Sequence, residues 1–247
     1  MGGDGGHGGQ ARVLIVPGLN GHPGLLLRQA RLLFPEWDAV AFNHHLDAAE
    51  GGVEGLAERA LATLDIKEPV FVCGESFGGT VALTLAHRYP ERVRGLVLFS
   101  TFGWHPSILA RRGAAALAVW SFLGHRVNTP TYRAGRLASV PTQLGWRFPA
   151  DLFRDYIQRP RAHVAAYRAK AELSLNFDAR PWLASIETPT FVLIGMWDPV
   201  VPVSAGRELA RSIPQAELHQ LPGGHLVHLV QSRRVGALID TWARDLH

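Results

Sequence analysis

The sequence predicts an α/β protein built on a parallel β-sheet, and three observations lead to that prediction. Short apolar runs alternate with segments of helical periodicity along most of the chain. Several of the apolar runs are continuous, as in strands that are buried on both faces of a parallel sheet. One run ends in a glycine-flanked serine, and a helical pattern begins just past it. This alternation implies right-handed crossovers with helices on both faces of a sheet of about six strands.

The apolar runs define six strands in chain order. They cover residues 12–16, 38–42, 69–73, 93–99, 190–194 and 217–221. Apolar residues at helical spacing follow most of these strands. We expect helices at 25–34, 51–65, 77–89 and 204–212, and a further helix at the end of the chain. Pro35 and Pro90 end two of them, because proline cannot continue a helix.

The alternation breaks between residues 103 and 182, where no clear strand pattern occurs. Helical patterns cover residues 107–123, 150–158 and 161–175, and prolines separate them. We therefore expect three parts: a flexible glycine-rich tail over 1–10, an α/β core formed by 11–102 and 183–247, and a helical cap inserted at 103–182.

The inserted segment is strongly basic, although the whole chain is only mildly so. The chain has 25 Lys and Arg against 21 Asp and Glu, a formal net charge of +4. Residues 104–181 hold twelve bases and four acids, a net charge of +8, which leaves −4 for the remainder. A solvated arginine-rich face would explain this charge, and so would a surface that receives an anionic substrate or an acidic partner.

Composition also narrows the function classes and the expected compartment. No Lys/Arg-rich run with interleaved aromatic residues is present, so we expect no nucleic-acid partner. The uncharged stretch 113–124 has 12 residues, which is too short to span a membrane. Cys73 is the single cysteine, so the fold needs no internal disulfide. Residues 1–9 have no signal-peptide pattern, and we expect a cytoplasmic protein.

The strongest functional motif is Gly-Glu-Ser-Phe-Gly, which surrounds Ser76. It matches the pattern G-x-S-x-G, in which the chain turns sharply from strand into helix and holds a serine side chain in the open. Gly74 and Gly78 fit such a turn, because a Cβ at either position would collide with neighbouring atoms. The motif therefore predicts Ser76 as a nucleophile.

An acid and a base follow two other strands. Asp198 comes directly after the fifth strand, whereas the loop after the fourth strand offers no carboxylate. His225 comes after the sixth strand, behind two glycines that allow a compact loop. His228 competes with His225, but it lies further into the next helix. A nucleophilic serine needs a base to take its proton and a carboxylate to orient that base, so we predict His225 and Asp198 in these roles.

Acyl transfer also needs hydrogen-bond donors for the oxyanion that develops on the substrate. We predict two backbone N–H groups as these donors. One belongs to Phe77, beside the nucleophile, and the other belongs to Leu19, in the glycine-flanked loop after the first strand. If Asn20 lies at the site, its side chain would be a third contact.

The order Ser76, Asp198, His225, with each residue at a strand end, resembles the α/β-hydrolase superfamily. The resemblance covers nearly the whole chain past Gln10, and the insertion stands where these enzymes carry a helical cap. It implies a serine hydrolase without a metal ion or an organic cofactor. One loop departs from the usual pattern: Asn43-His44-His45-Leu46-Asp47 replaces Asp-x-Arg-Gly-x-Gly-x-Ser.

Three functions are consistent with these features. The first is hydrolysis of small-molecule carboxylic esters through an acyl-enzyme on Ser76. The second keeps this chemistry but docks an acyl-carrier protein or coenzyme A on the basic insertion, as in an esterase or thioesterase for carrier-bound acyl groups. The third is a non-catalytic or slowly turning ligand-binding protein on the same fold.

Four other residues have two interpretations each. Glu75 either tunes Ser76 or has a structural role, and Cys73 is expected to be a core residue rather than a nucleophile. His44 and His45 are loop histidines or metal ligands, and we favour the former because no third ligand has convincing spacing.

Overall fold

Six parallel strands form one sheet in the part of the chain that the computed structural model describes, residues 11–104, 140, 143–144, 148–158 and 163–246. They are β1 (Arg12–Val16), β2 (Asp38–Ala41), β3 (Val70–Glu75), β4 (Val93–Phe99), β5 (Thr190–Gly195) and β6 (Ala216–Leu221). Their order is β2-β1-β3-β4-β5-β6, and every pairing is parallel. The predicted α/β architecture with about six strands is confirmed.

Eight α-helices lie within the same residues. They are α1 (Gly24–Leu33), α2 (Gly52–Leu61), α3 (Phe77–Arg88), α4 (Ala150–Gln158), α5 (Val164–Asn176), α6 (Val203–Ser212), α7 (Val227–Val230) and α8 (Ser232–Arg244). The helix α4 has the predicted bounds. The helix α5 begins at Val164, where the ring of His163 accepts a hydrogen bond from the Ala166 N–H. The predicted helix at 107–123 and the predicted tail at 1–10 lie outside the described residues.

Side chains alternate between the two faces of the sheet, and each face has its own apolar core. On one face, Leu14, Val72 and Leu98 pack with residues of α2 and α3. On the other face, Ile15 and Cys73 pack with residues of α1, α4 and α8. Because strands buried on both faces expose no side chain to water, their sequences are apolar throughout. Cys73 is a core residue, as predicted, and burial raises the pKa of its thiol.

The register brings the carboxyl ends of the central strands to one edge of the sheet. Gly74 in β3 pairs with Val16, the last residue of β1, and Glu75 pairs with Phe99, the last residue of β4. The last residues of β5 and β6 also pair with each other. The loops that carry the predicted site residues therefore leave the sheet on the same side.

The inserted segment packs on the α/β core at several places. Leu152 and Tyr156 of α4 are buried in the core cluster that includes α1 and α8. Lys170 of α5 is buried and donates a hydrogen bond to the carbonyl of His44 in the core. Within the insertion, an isolated bridge joins Trp104 to Asp178, near its two ends. The domain boundaries at 102/103 and 182/183 stay a prediction. In the described ranges, no helix has the length and apolar character that crossing a membrane requires.

Candidate active site

Ser76 occupies a strained turn between β3 and α3. Its backbone has φ 53° and ψ −121°, a region that non-glycine residues rarely adopt and that is often found at functional sites. The turn leaves no space at its glycines. A Cβ on Gly74 would lie 2.6 Å from the Gly78 carbonyl oxygen, and a Cβ on Gly78 would overlap the carbonyls of Val16 and Pro17. The Gly-x-Ser-x-Gly motif thus forms the turn that it predicts.

Neighbouring strands and loops hold the Ser76 backbone in this conformation. The Ser76 N–H donates to the Phe99 carbonyl at 2.9 Å, which extends the β3–β4 ladder by one residue. The Ser76 carbonyl accepts from the Gly79 N–H at 2.9 Å and from the Thr101 hydroxyl at 2.6 Å. Sequence patterns do not single out Thr101, because a threonine in a loop carries no signal of a contact 25 residues away.

Asp198 and His225 form a buried hydrogen-bonded pair. The Nδ1 of His225 lies 2.8 Å from the Oδ2 of Asp198. His225 is 5% exposed and Asp198 is 7% exposed. The other carboxylate oxygen accepts from the N–H groups of Val200 at 2.8 Å and Val201 at 3.0 Å. Since a carboxylate only accepts, Nδ1 carries the proton. In a neutral His225 the Nε2 then carries no proton and can act as a base.

His228, the competing histidine, has different surroundings. Its ring stacks on Phe99, with 4.6 Å between ring centroids and 12° between planes. It is fully buried, and within the described ranges neither ring nitrogen has a hydrogen-bond partner. Burial, and to a smaller extent the neighbouring His225, lowers the pKa of His228 to about 3. The carboxylate of Asp198 is therefore paired with His225 and not with His228.

The two residues predicted to supply oxyanion donors both lie near Ser76. Phe77 is the first residue of α3, so its N–H belongs to the helix N-terminus, where backbone donors lack intrahelical partners. Leu19 lies in a turn closed by the Gly21 N–H on the Gly18 carbonyl at 2.8 Å, and Asn20 lies in the same turn. A Cβ on Gly18 would be 3.3 Å from the Cβ of Ser76, so this turn passes directly beside the serine.

Glu75 and His44 both lie close to the loop that follows β1 and contains Pro17 and Gly18. The Oε1 of Glu75 is 3.4 Å from the position of a Cβ on Gly18. His44 is buried, and its Nε2 lies 3.0 Å from the Pro17 carbonyl oxygen. In the part of the chain that the structure describes, no group of three or more His, Cys, Asp and Glu side chains is arranged to hold a metal ion. The role of Glu75 stays a prediction.

Lys170 is a residue at this edge that sequence patterns do not identify as functional. It comes from α5, is fully buried, and donates to the His44 carbonyl at 2.6 Å. The one available signal is compositional: Lys170 and Lys67 are the only lysines in a chain with 23 arginines.

A parallel sheet whose carboxyl edge carries a strained serine and a buried Asp–His pair has the organisation of an α/β hydrolase. The family model described as alpha/beta hydrolase fold matches residues 53–232. The chain therefore belongs to the alpha/beta hydrolase fold family, as the sequence predicts.

Sequence relatives and similar solved structures agree with this family assignment. The chain is 28% identical to the poly(3-hydroxyalkanoate) depolymerase of Ectopseudomonas oleovorans, over 92% of this chain and 82% of the relative. It is 30% identical to the pimeloyl-[acyl-carrier protein] methyl ester esterase of Aromatoleum aromaticum, over 73% of this chain and 76% of the relative. The enol-lactonase of Burkholderia xenovorans LB400 superposes with a TM-score of 0.75 at 20% identity, over 97% of this chain and 93% of that enzyme.

Proposed function

We propose that the protein is a serine hydrolase that cleaves small-molecule carboxylic esters through an acyl-enzyme on Ser76. The proposal rests on the 2.8 Å hydrogen bond between His225 and Asp198, at the sheet edge that also carries the strained Ser76. The names of the two relatives, a depolymerase of a hydroxyalkanoate polyester and a methyl ester esterase, support an ester as the bond that is cleaved.

In the first half of the proposed reaction, the Oγ of Ser76 attacks the ester carbonyl while the Nε2 of His225 takes the hydroxyl proton. The carbonyl π-electrons move to the oxygen and form a tetrahedral oxyanion. When that intermediate collapses, the bond to the alcohol breaks, and the alcohol leaves with the proton from His225. Asp198 orients the imidazole and stabilises the imidazolium while it carries the proton.

In the second half, water replaces the alcohol. His225 takes a proton from a water molecule as that water attacks the acyl-enzyme, and a second tetrahedral oxyanion forms. Its collapse breaks the acyl–Oγ bond, returns the proton to Ser76 and releases the carboxylic acid. The N–H groups of Leu19 and Phe77 donate to both oxyanions, and such fixed donors supply a large share of the rate enhancement in acyl transfer.

The direct test is turnover of a series of p-nitrophenyl esters of increasing acyl length. We expect a burst of p-nitrophenol equal to the enzyme concentration when deacylation is slow, followed by steady turnover. Multiple turnover also decides against the non-catalytic alternative. A folded protein that hydrolyses no ester in the series would contradict the proposal.

A second candidate substrate class is an acyl group bound to a carrier protein or coenzyme A. The net charge of +8 on residues 104–181 favours it, because a basic surface attracts anionic partners at low salt. Charge reversal at Arg154, which is exposed on α4, and at Arg161, which lies outside the described residues, should then lower activity on carrier-bound substrates. An equal loss on a neutral free ester would argue against carrier docking.

A further inference from the structure

We propose that His44 and Lys170 form a clamp that positions the oxyanion loop, residues 17–21, and makes α5 of the inserted segment necessary for full catalytic rate. The inference rests on the proposed function, because it concerns the loop that would supply the Leu19 donor. His44 and Lys170 act as positioning residues in this account, and neither is required to touch the substrate.

His44 holds the oxyanion loop at both ends. Its ring Nε2 lies 3.0 Å from the carbonyl oxygen of Pro17, at the start of the loop. Its backbone N–H donates to the carbonyl of Gly21, at the end of the loop, at 3.0 Å. The contact with Gly21 is close: a Cβ there would lie 2.6 Å from the His44 carbonyl oxygen, and the φ of Gly21 is +73°. His44, in the loop that follows β2, thus holds both ends of the oxyanion loop.

Lys170 in turn holds His44 at two points. Its Nζ donates to the His44 carbonyl at 2.6 Å and lies 3.3 Å from the ring Nδ1. An ammonium group only donates, so Nδ1 must accept, and the ring proton must be on Nε2. That proton is the one donated to Pro17. The ammonium of Lys170 and the carbonyl of Pro17 therefore favour the same tautomer of His44, the one that holds the loop.

Electrostatics keep His44 neutral in this arrangement. Burial, followed by the charge of Lys170, lowers the pKa of His44 to about 4. Burial also lowers the pKa of Lys170 to about 8, although the carboxylate of Asp47 opposes that shift. Asp47 itself is paired with Arg59 at 2.7 Å. At neutral pH the clamp therefore consists of a mostly charged lysine and a neutral histidine.

The clamp lies close to both predicted oxyanion donors, Leu19 and Phe77. The Gly18 carbonyl accepts from the Gly21 N–H at 2.8 Å, and in a trans peptide the N–H of Leu19 points the opposite way. Fixing Pro17 and Gly21 therefore fixes the direction of the Leu19 N–H. The His44 ring also lies against the ring of Phe77, with 6.3 Å between centroids.

A merely structural role would not require a lysine at this position. A buried ammonium is costly unless it is paired, and well-packed apolar residues often replace buried charges without loss of stability. Methionine has a similar volume to the lysine stem and packs easily in irregular sites. We therefore expect K170M to keep the fold, so that its kinetics separate positioning from packing.

The test compares K170M, H44F and H44Q with S174A, a control at another buried position of α5. We expect kcat on p-nitrophenyl acetate to fall about tenfold in K170M and about 100-fold in H44F, with KM within about twofold, since losing one oxyanion donor costs about 10²- to 10³-fold. H44Q should recover part of the loss, because its amide can donate to Pro17 and accept from Lys170. The affinity for a boronic acid that mimics the tetrahedral intermediate should fall with kcat.

Amide hydrogen exchange tests the clamp without any substrate. We expect faster exchange at the Gly21 and His44 N–H groups in K170M than in the wild type or in S174A. If exchange at the Gly21 and His44 N–H groups is unchanged in K170M, Lys170 does not hold the loop, and the clamp proposal is wrong at any level of activity. If exchange rises but kcat is unchanged in a wild type that hydrolyses esters, the catalytic part is wrong. A wild type that hydrolyses no ester overturns the proposed function instead, and the exchange result then decides the clamp alone.

Discussion

Two serines at neighbouring strand ends have similar positive φ angles and different surroundings. Ser76 follows β3 with φ 53°, and Ser100 follows β4 with φ 46°. Each extends its ladder by one hydrogen bond, from Ser76 to Phe99 at 2.9 Å and from Ser100 to Leu193 at 2.8 Å. Ser76 directly precedes α3 and is half-buried. Ser100 is fully buried, and within the described ranges its hydroxyl has no hydrogen-bond partner.

Backbone strain by itself does not define a nucleophile. Both serines lie in a conformation that costs on the order of 1–3 kcal/mol. Ser76 also has glycines on both sides that allow the turn, a helix N-terminus beside it, and the Gly18 turn packed against its Cβ. Exposure and neighbouring donors therefore distinguish the two sites.

The largest expected effect separates these two serines. S76A should lower kcat on p-nitrophenyl acetate by about 10⁵-fold or more, because the acyl-enzyme cannot form. S100A should keep kcat within about twofold, since it removes only a buried hydroxyl that has no hydrogen-bond partner among the residues that the structure describes. Steady-state kinetics on both variants, with circular dichroism to verify folding, provides the measurement. A larger loss in S100A than in S76A would reverse the assignment.

The next largest effect should separate His225 from His228. H225Q should lower kcat by about 10⁵-fold, because the base is lost. H228F should keep kcat within about threefold, since phenylalanine preserves the stacking on Phe99 and His228 makes no hydrogen bond to Asp198. The same assay measures both variants. Strong loss in H228F with an intact fold would show that the wrong histidine has been chosen.

Asp198 should give a smaller loss than the serine or the base. D198N should lower kcat by about 10⁴-fold, because an amide can donate to Nδ1 and stabilise the wrong tautomer of His225. The change keeps the size of the side chain. A loss below about tenfold would indicate that the acid lies elsewhere.

The smallest expected effect is on stability in acid. The native state keeps His228 neutral down to a pKa of about 3, whereas the unfolded chain takes up this proton below about pH 6.5. The unfolded state therefore binds more protons in that window, and the free energy of unfolding falls as pH falls from 6.5 towards 3, by up to about 1.4 kcal/mol per pH unit.

Replacing His228 should remove this dependence. Between pH 7 and pH 5, H228F should lose about 2 kcal/mol less of its free energy of unfolding than the wild type does. His44 contributes to acid sensitivity in both proteins and cancels in the comparison. Urea denaturation at the two pH values measures the difference, and equal losses would mean that His228 is solvated in the native state.

The fold and the order of site residues could be predicted because both depend on local patterns. Strands buried on both faces are continuous apolar runs, and a tight turn at Ser76 requires glycines that are visible in the sequence. The boundary of α2 was less predictable. Periodicity extends to residue 65, but the helix ends at Leu61, where the Thr63 and Leu64 N–H groups form tighter turns on Ala60 and Leu61.

Contacts between distant residues could not be predicted in this way. Thr101 supports the Ser76 carbonyl from the loop after β4, and Lys170 contacts His44 across 126 residues of sequence. A lysine at that position in a basic helix suggests a solvated surface, whereas the structure buries it. Pairing of this kind depends on how α5 packs against the β2 loop, and no local pattern records it.

Covalent labelling shows directly whether Ser76 is the nucleophile that His225 activates. The wild type, S76A, S100A and H225Q would be treated with a fluorophosphonate and examined by intact-mass and peptide mass spectrometry. We predict one adduct per chain on Ser76 in the wild type and S100A, none in S76A, and strongly slowed labelling in H225Q. An adduct on another residue, or no adduct on a folded wild type, would contradict the account.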